Sequence, residues 1–187
     1  MRRSIAFLLF LLVVFGVQSQ QVVTSLKQVG DPLKVTHLKL THKQLRHVPE
    51  EIRAMKNLEV LDLSKNHIDT LPSWIGELVA LRQLDVSRNN LWKLPDALAQ
   101  LDSLRVLDAN RNPLIELPDA MGFMTHLQQL ILWSTGISFL PPTFVMLDGV
   151  LQLLDLRACM MNKTDQDEID NLLPNTRKLW NQACNCK

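Results

Sequence analysis

The chain has 187 residues, the size of one ordinary domain. Its 20 basic and 19 acidic residues give a formal charge of +1. That balance excludes the electrostatic footprint of a nucleic-acid binder and the polybasic block that draws a protein to anionic lipid.

Met1, Arg2 and Arg3 precede an uncharged apolar run from Ile5 to Val17, and Val17-Gln18-Ser19 offers small or modest residues where a signal peptidase reads. Residues 1–19 therefore read as a secretory signal, and the expected location is secreted, extracellular or periplasmic. The run of 13 residues is short of the roughly 20 that a spanning helix needs, so no transmembrane segment is expected after cleavage. Removing Arg2 and Arg3 leaves 18 basic against 19 acidic residues, a net of minus one. Residues 20–34, QQVVTSLKQVGDPLK, carry Val23, Leu26 and Val29 at helical spacing before Gly30-Asp31-Pro32 interrupts, and read as an amino-terminal cap.

From Val35 the chain repeats. VTHLKLTHKQLRHVPEEIRAMKN is followed by LEVLDLSKNHIDTLPSWIGELVA from Leu58, LRQLDVSRNNLWKLPDALAQLDS from Leu81 and LRVLDANRNPLIELPDAMGFMTH from Leu104, at a period of 23 residues. One unit buries about seven aliphatics, each contributing about 1.5 to 3 kcal/mol. Ordering its backbone costs about 1 to 2 kcal/mol per residue. Alone it does not fold; stacked, each unit buries its leucines against both neighbours.

Within a unit, LxxLxLxxNxL alternates at period two and suits a short strand with its leucines inward. Asn66, Asn89 and Asn112 form a column whose amides offer two donors and an acceptor to backbone groups of adjacent turns. In the second half, Leu71, Ile75 and Leu78 follow at spacings of four and three, the pattern of a helical or 3₁₀ turn. Pro72, Pro95 and Pro118 stand where that turn starts, where a missing N–H does little harm.

A fifth unit from Leu127 is one residue longer and has Thr135 in the Asn column; a sixth from Leu151 has Cys159 there. Asn162-Lys163-Thr164 and DQDEIDNLLP then predict a turn, a Thr164 cap and a short helix ending before Pro174, with Ile169, Leu172 and Leu173 laid on the last repeat. Residues 35–161 thus form the repeats and 162–187 a carboxy-terminal cap. Six strands at about 4.8 Å make a sheet roughly 24 Å across.

This lettering resembles the leucine-rich repeat family over residues 35 to about 161, and the LPxxI half resembles its leucine-proline subtype. The closing LLPNTRKLWNQACNCK is similar to the ends of short secreted bacterial leucine-rich-repeat proteins. The resemblance implies an α/β fold, a curved right-handed solenoid of about six repeats capped at both ends, with a parallel sheet on the concave face. It also implies use as a holder of another macromolecule; the periodicity alone does not.

Outward positions three, five, seven and eight form columns across that face. The fifth reads Lys39, Asp62, Asp85, Asp108, Ile131, Asp155 and the eighth His42, Lys65, Arg88, Arg111, Ser134, Ala158. Stacked carboxylates suit a cation, but the adjacent basic column is expected to neutralise them. In the seventh column, Thr41, Ser64, Ser87, Asn110, Trp133, Arg157, the character changes. Trp133 and Ile131, flanked by Val106 and Leu153 and rimmed by Asp108, Asn110, Arg111, Asp155 and Arg157, have the composition of a binding hot spot. The competing expectation is that the cap folds over Trp133.

Packing is expected for Trp74, Trp92 and Trp180. His42 and His67 across adjacent units make a weak case for zinc without a third ligand. Cys159 suits a buried thiol; Cys184 and Cys186 bridge one another, or one bridges to Cys159, and the three pairings stay open. Asn162-Lys163-Thr164 is a glycosylation sequon. No GxSxG, HExxH or Gly-rich phosphate loop is present. The reading is a secreted, non-catalytic, monomeric module that holds a protein or peptide on the concave face without cofactor or metal. The alternative is a self-associating component of the cell envelope or extracellular matrix.

Overall fold

The computed structural model describes residues 22–181, so the signal segment, Cys184 and Cys186 lie outside the described residues. Eight short strands form one parallel sheet in chain order: β1 (Val22–Val23), β2 (His37–Lys39), β3 (Val60–Asp62), β4 (Gln83–Asp85), β5 (Val106–Asp108), β6 (Gln129–Ile131), β7 (Leu153–Asp155) and β8 (Arg177–Leu179). The register advances by one repeat per strand, with Leu38, Leu61, Leu84, Leu107, Leu130 and Leu154 in one row. All six are buried in a continuous spine of aliphatics. The sheet has two strands more than expected, and both come from the caps. Val22–Val23 pairs with β2 where helical spacing had been read, and Arg177–Leu179 pairs with β7.

On the other side of each coil runs a 3₁₀ turn: Glu50–Ala54, Ser73–Glu77, Asp96–Gln100, Asp119–Phe123 and Pro142–Leu147. Each is entered through a proline, Pro49, Pro72, Pro95, Pro118 and Pro141 respectively. A 3₁₀ turn is tighter than an α-helix and short runs suffice, so the back of each coil is narrow. Gly76 and Gly122 let these turns stack: a Cβ on Gly122 would lie 2.5 Å from the Thr143 carbonyl, and one on Gly76 would strike the Ala97 carbonyl.

The asparagine column forms a ladder. Asn66 Oδ1 accepts from the N–H groups of Lys43 (2.9 Å) and Leu45 (3.1 Å) in the preceding unit. Its Nδ2 donates to Leu40 O and Leu63 O, both at 2.8 Å. Asn89 repeats this on Ile68 N, Leu63 O and Val86 O, and Asn112 on Leu91 N, Val86 O and Ala109 O. Leu63 O and Val86 O therefore each accept from two amides, one of their own unit and one of the next. In the irregular units the work is divided. Thr135 Oγ1 donates to Leu132 O of its own unit at 2.8 Å, while the Cys159 thiol donates to the same oxygen from the next unit at 3.3 Å. The residue before each ladder position, His42, Lys65, Arg88, Arg111, Ser134 and Ala158, has φ between 52° and 58°. The left-handed backbone costs a non-glycine residue roughly 1 to 2 kcal/mol, and the ladder is what holds it there.

The helix α1 (Lys163–Leu172) is capped by Asn162, not by Thr164 as expected. Asn162 Oδ1 accepts from Asp165 N at 3.1 Å and Asp165 Oδ2 accepts from Asn162 N at 2.9 Å, a reciprocal box, while Asp167, three residues after Thr164, pairs with Lys163 instead. Ile169 and Leu173 are buried, Leu172 partly so, and α1 packs against the 3₁₀ turn Pro142–Leu147.

Candidate functional site

The concave face is built from the residues that alternate with the buried leucines. Its fifth column is electrostatically uneven. Asp62 faces Lys39 at 3.3 Å and accepts from the Ser64 N–H and hydroxyl and from Thr41 Oγ1. Burial would raise its carboxyl, but the hydrogen bonds from Ser64, Thr41 and Lys39 together outweigh that and hold it below the ordinary value. Asp155 is buried and gripped by Arg157, Nε to Oδ1 at 2.9 Å and Nη2 to Oδ2 at 2.6 Å. Between them, Asp85 and Asp108 form no ion pair among the described residues. Burial raises the Asp108 carboxyl above its ordinary value against the Asn110 backbone bond, and the charges of Asp85 and Asp155 add to the rise.

The expected neutralisation by the eighth column is not what the structure has. Lys65, Arg88 and Arg111 sit in the left-handed turn beyond the strand ends, and among the described residues none of them pairs with the aspartates. Arg111 instead stacks its guanidinium over Trp133, 4.4 Å from the ring centroid.

Trp133, Ile131, Val106 and Leu153 are all half-buried and share this side of β5, β6 and β7. The described part of the cap does not hide them, because α1 packs behind the sheet and β8 extends it edgewise. Asn110 is buried beside Asp108, donating Nδ2 to Asp108 Oδ1 at 2.5 Å while its own Oδ1 has no partner. Asp108, Asn110, Arg111, Ile131, Trp133, Asp155 and Arg157 thus fall on three neighbouring coils. Asp85, not expected in that set, adjoins it through the β4–β5 register.

Trp74 is buried and Trp180 packs on the core, but Trp92 is 46 % exposed with Lys93 Nζ 4.5 Å over its ring, contrary to the packing expected. Position twelve of the unit lies on the flank of the coil, outside the leucine spacing, so nothing covers it. His67 shares an open cavity of about 430 Å³ with Arg46, His47, Asp69 and Asn90. The histidines that meet there are His47 and His67, not His42. Among the described residues no three His, Cys, Asp or Glu are grouped to hold a metal, and no helix is long and apolar enough to cross a membrane.

Residues 7–113 match the family described as leucine-rich repeat region. The match begins inside the segment read as a signal and ends before the two irregular units. No curated protein matches the chain. Among solved structures, it is similar to internalin C2 from Listeria monocytogenes, at 20% identity and TM-score 0.65, over 86% of this chain and 68% of that one. It is also similar to the ectodomain of the plant membrane receptor kinase GASSHO1/SCHENGEN3 from Arabidopsis thaliana, at 27% identity and TM-score 0.63, over 79% of this chain and 18% of that one. That ectodomain was solved in complex with Casparian strip integrity factor 2. A leucine-rich repeat protein from Leptospira interrogans matches at 19% identity and TM-score 0.41, over 79% of this chain and 62% of its own length. The repeat period, the eight-stranded parallel sheet, the asparagine ladder and the match over residues 7–113 lead to one conclusion: the chain belongs to the leucine-rich repeat family.

Proposed function

We propose that this chain is a secreted, non-catalytic module that holds a protein or peptide on the carboxy-terminal half of its concave face. The observation that carries the reading is the half-buried cluster of Trp133, Ile131, Val106 and Leu153, left open by the described residues of the cap and rimmed by the fixed Asp155–Arg157 pair. An aromatic anchor whose Arg is already tethered loses little side-chain entropy on binding, and such centres carry most of the energy of an interface. The family's general use as a protein-interaction fold supports this. Secretion rests on residues 1–19 as a cleaved signal, 20–34 and 162–187 acting as caps around the repeats of 35–161.

The test is capture with the purified chain, with a Trp133→Ala/Arg157→Ala variant of unchanged melting temperature as the control. Partners retained equally by both remove the concave site. The second reading, a self-associating envelope or matrix component, draws on exposed Phe123, Val145 and Met146 on the back of the last coils. Light scattering over a concentration series separates the two, because only self-association raises the mass.

A further inference from the structure

The four aspartates of the fifth column are not equivalent. The outer two have a cation of their own, Lys39 for Asp62 at 3.3 Å and Arg157 for Asp155 at 2.6 Å. The inner two, Asp85 and Asp108, stand opposite each other across β4 and β5 and have none among the described residues. Each uses one oxygen to accept a local N–H, Ser87 N at 2.9 Å and Asn110 N at 3.1 Å. Among the described residues no hydrogen bond reaches the second oxygen of either.

Beside them the buried Asn110, 6% exposed, donates its Nδ2 to Asp108 Oδ1 and keeps an acceptor that nothing meets among the described residues. A buried polar atom without a partner costs about 1 to 3 kcal/mol, and this small region carries more acceptor oxygens than the hydrogen bonds among the described residues reach. The Arg88 and Arg111 guanidiniums do not meet these oxygens: among the described residues Arg88 makes no ion pair, and Arg111 is stacked on Trp133. A metal ion is a poor match, because two carboxylates fall short of the oxygens a hard cation takes and no third ligand is grouped with them among the described residues.

The group that meets the deficit is donor-only, cationic and carried on an apolar stem. Strands about 4.8 Å apart set the two carboxylates at a spacing a planar guanidinium spans with parallel N–H bonds. Val106 and Ile131, next to Asp108 on β5 and β6, offer the apolar wall for its methylenes.

We propose that Asp85 and Asp108 receive an arginine or lysine side chain of a partner polypeptide, whose neighbouring residues lie on Ile131 and Trp133. This rests on the concave-face reading above and names the chemistry of its ligand. The partner is thus a basic polypeptide segment, and its association weakens with salt as exposed charge pairs do.

The experiment selects a phage-displayed random nonapeptide library on the purified chain at low ionic strength, then measures the enriched peptides on three variants. Asp85→Asn/Asp108→Asn removes both charges and keeps the shape, Asp62→Asn removes a charge that Lys39 already balances, and Trp133→Ala removes the anchor. Enriched peptides are expected to contain Arg or Lys, to lose about tenfold or more in affinity on the double variant, the scale of a hydrogen-bonded charge, and to change little on Asp62→Asn. Exchanging the peptide's arginine for citrulline on the unaltered chain gives the same loss and does not depend on any variant folding. Peptides that ignore the double variant and the citrulline exchange yet fail on Trp133→Ala overturn the basic-ligand inference and leave the concave-face reading standing. A selection in which no peptide depends on Trp133 or on the two aspartates overturns both.

Discussion

Asn89→Ala removes the middle rung of the ladder. The Ile68 N–H, which donates only to Asn89 Oδ1 at 3.0 Å, is left buried with no acceptor, at about 1 to 3 kcal/mol. Leu63 O and Val86 O lose one donor each but keep Asn66 and Asn112, so each adds only about 0.5 to 1 kcal/mol. The expected loss is about 3 kcal/mol, read as a fall in the urea midpoint at unchanged m-value. The ladder adds a sharper expectation. In Asn66→Ala/Asn89→Ala the Leu63 carbonyl loses both of its amides at once, so the double variant should cost about 1 to 2 kcal/mol more than the sum of the singles. Additivity within about 0.5 kcal/mol, or a single-variant loss below about 1 kcal/mol, would refute the shared-acceptor account.

Gly122→Ala should destabilise by about 1 to 3 kcal/mol through overpacking against Thr143, while Gly30→Ala, with open space around its Cβ, serves as the neutral control in the same melting series. Lys65→Asn, at φ 57°, should stabilise by about 0.5 kcal/mol because asparagine tolerates the left-handed backbone, and Lys65→Val should do the reverse. Glu77, held by hydrogen bonds from Arg53 and Lys56, has its carboxyl pulled down to about 2. Its contribution is complete above the unfolded value of 4.5 and drains as the pH falls toward 2. Carboxyl NMR should show the low midpoint, and Arg53→Ala should raise it; an unmoved midpoint would contradict the assignment. Arg111→Ala should uncover one face of Trp133, seen as increased acrylamide quenching of an isolated indole in a chain whose other tryptophans are replaced by Phe.

Much of the architecture is written in short-range spacing. The leucine rows, the proline before each 3₁₀ turn and the asparagine at a 23-residue period are local signals repeated until chance is excluded. A period of two has only one buried side, so the register follows without knowledge of neighbours. The caps obey no such repeat. Val22–Val23 and Arg177–Leu179 are strands because an edge of the stack offers them partners, and Asn162 rather than Thr164 caps α1 because Asp165 answers it.

The concave face divides in the same way. Its columns and their residues follow from the strand period, so Trp133, Ile131 and the four aspartates could be placed together on paper. Which charges meet could not, because that depends on where each side chain goes after the strand ends. The left-handed turn at Lys65, Arg88 and Arg111 takes the basic column away from the carboxylates, and one of those arginines finds an indole instead. Periodicity determines what is side by side; the path of the backbone between repeats decides which neighbours touch.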